Sequence, residues 1–375
     1  MKKKICFVVA APDTAKAFLL RYFEYLSKDY EIYLVANFQD DAASFSSPYV
    51  KEIKNIRIYR HISVFQDLKA LLSLVHYLKK IKFDAVHSVT PKAGLIGVLA
   101  AKIAKVPIRI YTFTGQVWYT KKGLLKFLLK SIDRFIVYSA THILVDGESQ
   151  RQFLVANAII KENNLKFFNK PAVSCVDTDK FTRNDSIRAT YREDLKLSNE
   201  IVFLFLGRIN VDKGVLDLAQ AFFKLNEKFP NTKLIFVGPD EEKLKSKIQE
   251  ICNFSSIIFY GVTSKPEEVL QIADVFCLPS YREGFCASII EASSLEIPVI
   301  CSDTYGLMGT IVDNVTGLRH KVGNVASILE QMEKMIANQD LRKELGVNGR
   351  QYVLNNFSAK SFSTEWINFY KEALS

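Results

Sequence analysis

The sequence predicts an α/β protein that is built from two Rossmann-like domains. Short runs rich in Val, Ile and Phe recur along its 375 residues, and segments with helical spacing separate these runs. The alternation occurs twice, once in each half of the chain. Strands that alternate with helices of about 10 to 15 residues are typical of βαβ units and parallel sheets. The length also suits two domains of ordinary size.

The predicted elements follow the chain in order. In the first half the apolar runs are ICFVVA, EIYLVA, DAVHSV, RIYTF and HILVD. In the second half they are IVFLFLG, KLIFVG, SIIFYG, DVFCLPS and PVICSD. Helical spacing is seen in segments such as AFLLRYFEYL, LKALLSLVHYLKKI, VLDLAQAFFKLNEKF and EKLKSKIQEI, and again at residues 360–373. Ligands of open α/β sheets bind outside the carboxyl ends of the strands, so the residues that follow each run are the candidate site.

The charge is distributed unevenly between the halves. Residues 1–180 contain 28 Lys and Arg against 15 Asp and Glu, a net charge of +13. Residues 181–375 contain 22 against 25, a net charge of −3. The two halves are therefore expected to have different partners. The basic half favours an anionic membrane or nucleic acid, whereas an anion bound by the second half needs local groups to hold it.

Cysteine usage and hydrophobicity exclude several classes of protein. The six cysteines are scattered without a CxxC pair, so neither a disulfide framework nor a zinc site is indicated, and a reducing cytoplasm is expected. The start, MKKKICFVVAAPD, resembles a secretory signal, but its short apolar run ends at Pro12 and is better explained as a buried strand. No run reaches the ~18 uncharged apolar residues of a membrane span. We expect a protein that is soluble or bound to a surface.

The motif GRINVDKG, residues 207–214, follows the strand IVFLFL. Gly207 allows a tight turn, Arg208 leaves the strand end, and Lys213 lies near the start of the next helix. An arginine fork, a lysine charge and a helix N-terminus together suit a diphosphate. The alternative is that Arg208 pairs with a carboxylate and Lys213 is a solvated lysine of the first helical turn.

The segment REGFCASIIEASS, residues 282–294, follows the strand DVFCLP. The helix is expected to start near Cys286, which places Glu283 in the preceding loop, where Gly284 permits close approach of a ligand. The amides of Phe285 and Cys286 are then free donors at the helix N-terminus. Glu291 falls near an apolar helix face, and vicinal sugar hydroxyls would suit such a carboxylate. The alternative is that Glu283 caps the helix and Glu291 bonds to a backbone group.

These two motifs together resemble the retaining glycosyltransferase family 4 of GT-B fold. The segment HSVTPKAGLIGVLAAKIAKVPIRIYTFTGQVW also resembles the first domain of bacterial enzymes that build on polyprenyl-diphosphate sugars. The resemblance implies two Rossmann-like domains that face a central cleft. It places an acceptor-binding domain at residues 1–178, to which a C-terminal helix at 357–375 crosses back. A nucleotide-sugar-binding domain would occupy residues 179–356.

The resemblance also implies roles for single residues. Glu283 would contact the donor sugar, Glu291 the ribose, and Arg208 and Lys213 the diphosphate, so Arg208, Lys213 and Glu283 are the candidate catalytic residues. The complete candidate donor-binding set is Gly207, Arg208, Lys213, Val262, Glu283, Gly284, Phe285, Cys286 and Glu291. Since cationic side chains and helix amides would neutralise the leaving group, neither a metal nor a cofactor is expected.

Candidate acceptor or cleft residues lie in the first domain. His87, within AVHSV, is expected to end a strand that faces the cleft, where it would either contact the acceptor or donor or be a packed strand-end histidine. Lys92 lies at the start of the next helix. Thr114 and Gly115 follow another strand, and Thr114 occupies the place where the family often has a histidine.

The segment WYTKKGLLKFLLKSIDRF interleaves leucines and phenylalanines with basic residues. Such a helix suits the interface of an anionic membrane, and a lipid-linked acceptor would require that location. The alternative is a core-facing helix with a solvated basic side. We expect the first domain to bind the inner face of the plasma membrane from the cytoplasm.

The resulting functional hypothesis is transfer of a hexosyl or N-acetylhexosaminyl group from a nucleotide-diphosphate donor, expected to be a UDP-sugar. The acceptor would be lipid-linked or a polysaccharide, and the anomeric configuration would be retained. A nucleotide-sugar 2-epimerase of the same architecture is the alternative. A nucleic-acid-binding α/β protein is a third hypothesis, but no helix-turn-helix or RNP signature supports it, so no nucleic-acid partner is expected.

Overall fold

The computed structural model describes residues 2–38, 45–59, 63–162, 175–252 and 254–375. The chain forms two compact units, one of residues 1–175 with 359–375 and the other of residues 176–358. The boundaries expected from the sequence, 178/179 and 356/357, differ from these by three and two residues.

The first unit contains a six-stranded parallel sheet in the order β3-β2-β1-β4-β5-β6. Its strands are β1 Lys4–Val8, β2 Glu31–Ala36, β3 Glu52–Asn55, β4 Ala85–Val89, β5 Ile108–Thr112 and β6 His142–Leu144. Its helices are α1 Pro12–Phe18, α2 Leu20–Leu26, α3 Val64–Ile81, α4 Pro91–Ile103, α5 Gly123–Ser139, α6 Glu148–Ala156 and, at the C-terminus, α14 Ala359–Ala373. The sheet is buried on both faces, which explains its nearly continuous apolar strands.

Alternate side chains of β1 pack against two different helical layers, one on each face of the sheet. Ile5 and Phe7 belong to a core shared with α2 and α14, whereas Cys6 and Val8 belong to a core shared with α3 and α4. On the second face α4 packs between α3 and α5. Parallel strands and returning helices run in opposite directions, so α3 and α5 both begin at the carboxyl edge of the sheet.

The second unit contains a six-stranded parallel sheet in the order β12-β11-β10-β7-β8-β9. Its strands are β7 Ile201–Leu206, β8 Thr232–Val237, β9 Ile257–Gly261, β10 Val275–Leu278, β11 Val299–Ser302 and β12 Leu318–His320. Its helices are α7 Asp185–Asp194, α8 Val215–Lys228, α9 Lys245–Ile251, α10 Pro266–Val269, α11 Ala287–Ser294, α12 Val325–Ala337 and α13 Gln339–Asn356.

The predicted fold class is confirmed by both parallel sheets and by the helices that cover them. All ten predicted strands are present, and the short strands EIKN and LRH were missed because neither contains an apolar run. The C-terminal helix packs in the first unit, where Trp366 stacks on Tyr22 of α2 with ring centroids 3.9 Å apart. Within the described residues, no helix combines the length and the hydrophobicity needed to cross a membrane.

Candidate functional site

The turn after β7 brings Lys213 to the carboxyl edge of the second sheet. Asn210 starts a single 3-10 turn over Val211–Lys213, and its side chain accepts a hydrogen bond from the Lys213 amide at 3.1 Å. Gly214 follows in the left-handed conformation (φ 71°), and a Cβ there would lie 2.1 Å from the Pro279 carbonyl oxygen. Only glycine fits this position, and it allows the turn to pack directly against the end of β10.

Lys213 and Glu283 form the centre of the site. The Lys213 Nζ lies 2.5 Å from Glu283 Oε1, and Ser280 Oγ donates to the same oxygen at 2.6 Å. Both charged side chains are largely buried. Burial by itself lowers the pKa of Lys213, but the Glu283 carboxylate and its hydrogen bond reverse that effect, so the pKa is raised. The lysine is therefore held fully charged.

The loop that contains Glu283 is tightly packed, and several of its backbone N–H groups have no hydrogen-bond acceptor among the described residues. A Cβ on Gly306 would lie 2.1 Å from the Glu283 carbonyl oxygen, so the turn after β11 closes against this loop. Cys286 is the N-cap of α11, as predicted. Among the described residues, no acceptor is found for the amides of Gly284, Phe285 and Cys286. The loop that holds the Lys213 partner Glu283 therefore also contains backbone donors at a helix N-terminus, and such groups stabilise an anion.

Glu291 lies within α11, and its side chain is partly exposed. Its surroundings raise the pKa of its carboxyl from the ordinary 4.5 to about 7. Burial is the main cause; Lys180 opposes the shift and Glu267 adds to it. No hydrogen-bond or ion-pair partner for this carboxylate is found in the described part of the chain. A partly buried carboxylate without hydrogen-bond donors from the protein can accept hydrogen bonds from a ligand.

Arg208 pairs with the carboxylate of Glu241. Its Nη1 lies 2.9 Å from the Glu241 carboxylate, which also accepts from Asn210 at 3.2 Å, and the guanidinium is about half exposed. The pairing with a carboxylate that the sequence left open as an alternative is thus what the structure contains. A role for Arg208 in diphosphate binding stays a prediction, because it requires the arginine to exchange this partner.

Gly207 directly follows β7 and Val262 directly follows β9, at the carboxyl edge of the second sheet. The Gly207 carbonyl oxygen would lie 2.0 Å from a Cβ on Gly238, so the ends of β7 and β8 approach closely. Val262 is exposed and follows Gly261, which has φ 90° and open space around its Cβ position. The structure therefore brings Lys213, Glu283 and the 284–286 amides together, and places Val262 on a separate exposed loop.

In the first unit, the hypothesis that His87 contacts a substrate is wrong. The side chain is 0% exposed in the middle layer of the fold, beside the ring of Trp366. Its Nδ1 hydrogen-bonds with Tyr370 Oη at 2.5 Å and its Nε2 with Thr112 Oγ1 at 2.6 Å. Burial lowers the pKa of His87 from 6.5 to about 3, so the ring is neutral. The alternative interpretation, a packed strand histidine, is correct because the C-terminal helix covers this strand.

The other first-unit candidates occupy neighbouring strand ends. Lys92, at the start of α4, forms an ion pair with Asp67 in the first turn of α3. The Thr114 carbonyl accepts from the side-chain amides of Gln116, at 2.6 Å, and of Gln150, at 2.8 Å. These bonds fix the loop that contains Gly115. An acceptor role for Lys92, Thr114 and Gly115 stays a prediction.

Sequence reasoning missed two residues that position Lys213 and Glu283. Asn210 caps the turn that presents Lys213, and Ser280 orients Glu283. Each is a small polar residue just after a strand, and that position is the signal which could have identified them. No group of three or more His, Cys, Asp and Glu side chains that could hold a metal ion is found in the described ranges.

Helix α5 packs one side on the core of the first unit, as the alternative interpretation expected, but its outer side is not purely polar. It buries Asp133, Ile136 and Ser139, and Trp118 Nε1 donates to the Asp133 carboxylate at 2.7 Å. Its large exposed apolar residues are Leu124, Leu125, Phe127, Leu128, Phe135 and Tyr138. Lys121 and Lys122 are exposed directly before it. The outer surface is therefore apolar and basic together.

Two family models match the chain. "Glycosyl transferases group 1" matches residues 187–352, and "Glycosyl transferase 4-like" matches residues 4–147. The chain is 33% identical to a capsular polysaccharide biosynthesis glycosyltransferase of Staphylococcus aureus over 85% of this chain and 84% of that protein. It is 25% identical to an Escherichia coli UDP-Gal:alpha-D-GlcNAc-diphosphoundecaprenol alpha-1,3-galactosyltransferase, over 90% of this chain and 88% of that one.

Solved structures share the fold over nearly the whole chain. A sucrose-phosphate synthase of Thermosynechococcus elongatus has a TM-score of 0.84 at 18% identity and covers 99% of both chains. The HepE protein of Anabaena in complex with UDP has a TM-score of 0.79 at 16% identity, covering 99% of this chain and all of that one. With these matches, the chain belongs to the group 1 family of glycosyltransferases and has the GT-B fold.

Proposed function

We propose that this glycosyltransferase transfers a sugar from a UDP-sugar to a lipid-linked glycan with retention of the anomeric configuration, and without a metal ion. The transferred group is a hexosyl or N-acetylhexosaminyl unit of a bacterial surface polysaccharide. The observation that carries the proposal is the buried Lys213–Glu283 pair, 2.5 Å apart, beside the open amides of residues 284–286.

The leaving diphosphate is stabilised by groups of the protein itself. Lys213 is held charged in a site of low solvent access, where its interaction with phosphate oxygens is strong. The α11 N-terminus supplies backbone donors. Arg208 adds a second cation if it leaves Glu241. These charges replace the divalent ion that many phosphate-transfer sites require.

The two glutamates bind different parts of the donor. Glu283, fixed by Ser280 and Lys213, accepts hydrogen bonds from the sugar hydroxyls close to the diphosphate. Glu291 has no such fixed partner and accepts from the two ribose hydroxyls. The exposed loop at Val262 meets the base.

In the proposed reaction, the acceptor hydroxyl oxygen forms a bond to the anomeric carbon while the bond from that carbon to the diphosphate oxygen breaks. The hydroxyl proton passes to the departing phosphate on the same face of the sugar, so configuration is retained. Neither glutamate acts as a nucleophile. Lys213 stabilises the negative charge that develops on the leaving oxygen.

Donor and acceptor classes are supported by the relatives' names. The Escherichia coli relative uses UDP-Gal and an undecaprenol diphosphate acceptor, and a Campylobacter jejuni relative, 26% identical over 78% of each chain, is named for a diphospho-undecaprenol acceptor. Such an acceptor resides in a membrane. The apolar and basic surface of α5 supports peripheral binding to the inner face of the plasma membrane.

Turnover with defined substrates tests the reaction. UDP-sugars are incubated with a polyprenyl-diphosphate glycan, and release of UDP and the linkage of the product are measured, with and without excess EDTA. We expect transfer with retention in both conditions. Free epimerised sugar nucleotide without transfer would contradict the proposal, and activity that magnesium or manganese must restore would contradict its metal-free part.

Vesicle binding tests the membrane assignment. Replacing Lys121, Lys122 and Lys126 with glutamate should release the protein from anionic vesicles, because each basic residue near the surface contributes ~1 kcal/mol. The matched control replaces Lys224, Lys243 and Lys247, which are exposed lysines of the second unit. Equal binding of the parent protein to neutral and anionic vesicles would contradict the electrostatic part.

A further inference from the structure

Helix α3 has two apolar faces. One is packed in the core through residues such as Leu74 and Leu78. The other is exposed, with Val64 at 81% and Phe65 at 80% of their surface accessible, and it continues along the helix with Leu68 and Leu72. A surface helix of a protein that meets only water normally carries charged residues on its outer side.

A groove of about 950 Å³ lies beside the exposed face, between α3 and the chain that follows β3. Phe65 and Leu72 line it together with basic residues, and these are Lys54, Arg57, Lys69 and Lys80. Among the described residues that line it, Glu52 is the only acidic one, so four positive charges face one negative charge there, a net of +3. The groove thus combines apolar walls with the charge expected of a site for an anionic amphiphile.

Helices α3 and α5 pack on either side of α4 in the first unit. Both helices belong to the layer that contains α4, and both begin at the carboxyl edge of the sheet. The exposed apolar residues of α3 lie in its first half, at 64–72, and four of those of α5 lie at 124–128, while Phe135 and Tyr138 extend the α5 surface toward its other end. The two surfaces are therefore two apolar ridges on either side of α4, and each includes residues near the carboxyl edge of the sheet.

We propose that α3 and its groove form a second contact with an anionic lipid bilayer. The basic residues of the groove hold a phospholipid headgroup, while Val64, Phe65 and Leu68 enter the interfacial region. Contacts through ridges on both sides of α4 would fix the orientation of the first unit on the membrane surface, whereas contact through α5 alone would let the unit rotate about that helix. The carboxyl edge of the first sheet, where acceptor residues are predicted, is then held at the membrane surface. Only this last consequence rests on the proposed function.

The test uses the full chain and two pairs of substitutions. Phe65→Ser with Leu72→Ser removes apolar contact, and Lys69→Ala with Lys80→Ala removes charge. Phe223→Ser with Lys224→Ala, at exposed positions on α8 of the second unit, is the matched control. Binding is measured with phosphatidylglycerol-containing and with pure phosphatidylcholine vesicles.

We expect the lysine pair to weaken binding to anionic vesicles about 25-fold, since each surface lysine accounts for about fivefold, and to change binding to neutral vesicles little. The apolar pair should weaken binding to anionic vesicles at least ~10-fold, because two apolar side chains no longer leave water. The control should bind as the parent protein does. Unchanged binding in both α3 variants would overturn the proposal.

A second measurement reports contact directly. The indole introduced by Phe65→Trp should be quenched by brominated phospholipid, whereas the native Trp118 and Trp366 are about 1% exposed and should not be. Absence of quenching would overturn the proposal, as would α3 variants that dissociate a dimer without changing vesicle binding. None of these readouts requires catalysis, so a failed transfer assay and a failed α3 contact are distinguishable.

Discussion

The two sheets have the same strand order, but the groups without a protein partner near their carboxyl edges differ in kind, being hydroxyls in the first unit and a carboxylate with backbone amides in the second. Read from β3 in the first unit and from β9 in the second, the order is third, second, first, fourth, fifth, sixth in both. In the first unit the buried ring of His87 is matched by Tyr370 and Thr112, whereas the hydroxyl oxygens of Ser88 and Thr90, at the end of β4, have no hydrogen-bond partner among the described residues. In the second unit Glu291 and the 284–286 amides lack such partners among the described residues.

This difference teaches how to separate structural from functional polar groups on a repeated scaffold. A buried histidine whose two nitrogens are both bonded stabilises the fold. A carboxylate or amide without a protein partner costs free energy unless a ligand supplies one. The fold itself does not decide which edge binds a ligand, so the polar groups without a partner at each edge are the ones to test.

The largest effect is expected for Lys213→Ala. It removes the charged group beside the predicted leaving diphosphate and should lower turnover at least ~100-fold, as for loss of one preorganised group in an electrostatic site. The measurement is UDP release in the presence of the lipid-linked acceptor.

The matched control is Lys228→Ala, since Lys228 pairs with Glu333 at 2.6 Å on an exposed surface. Removing that pair should change stability by less than ~1 kcal/mol and leave turnover unchanged. Equal turnover of Lys213→Ala and Lys228→Ala would show that the second edge is no more functional than the rest of the surface.

The next effect concerns stability of the first unit. His87→Ala removes a ring from the core and leaves two buried hydroxyls without a partner, so we expect a loss of ~2–4 kcal/mol in the free energy of unfolding. Donor binding should be unchanged, because the histidine touches no donor residue. His76→Ala, at an exposed position of α3, is the control and should change little.

The acid dependence of stability checks the same histidine. The pKa of His87 is lowered to about 3 by burial, against 6.5 when unfolded. The unfolded chain therefore binds a proton in this range that the folded chain does not, and stability from this group is lost as pH falls from about 6.5 toward 3. For the His87→Ala variant itself, a UDP-sugar affinity that falls while the fold stays intact would contradict a purely structural role of the histidine.

The sequence predicted the fold well because its strand signals are strong. Apolar runs such as IVFLFL and their spacing with helices define parallel strands, and both sheets followed from them. Cys286 as the start of α11 also followed, from glycine and the polarity change beside it.

The arrangement of the site was less predictable. That Lys213 contacts Glu283 depends on Gly214 packing against Pro279, a contact between segments 65 residues apart. His87 was misplaced because the helix that buries it lies 283 residues away at Tyr370. Local patterns define elements, whereas long-range packing decides which side chains are satisfied.

The third prediction separates the two glutamates. Glu291→Gln removes the charge that accepts ribose hydroxyls and should weaken UDP binding by roughly 1.5–3 kcal/mol, the range for hydrogen bonds to a charged group. Glu283→Gln should leave UDP binding nearly unchanged and lower the transfer rate and the discrimination between donor sugars. Calorimetric titration beside a turnover assay measures both.

Stability provides the control for this pair. Because burial disfavours the charged form of Glu291, Glu291→Gln should keep or raise the melting temperature at pH 8. A variant that loses UDP affinity and also unfolds would indicate a structural glutamate. If Glu283→Gln abolishes UDP binding and Glu291→Gln does not, the two roles are reversed.

The smallest effect is a pH dependence of donor binding. The pKa of Glu291 is raised to about 7, chiefly by burial, so at pH 6 only about a tenth of the carboxyl is ionised. Affinity for a UDP-sugar should therefore rise about tenfold between pH 6 and pH 8, and level off above. A UDP-sugar is preferred to UDP as the ligand because its diphosphate does not titrate in this range. The contribution of Glu291 to stability has the opposite sign. Its raised pKa makes the folded state bind the proton more tightly, so stability is lost as pH rises from about 4.5 through 7.

Glu291→Gln should abolish the pH dependence of UDP-sugar affinity, whereas Glu330→Gln, at an exposed position of α12, should retain it. A flat profile in the parent protein, or a slope that persists in Glu291→Gln, would show that the unpartnered carboxylate is not the group that meets the donor.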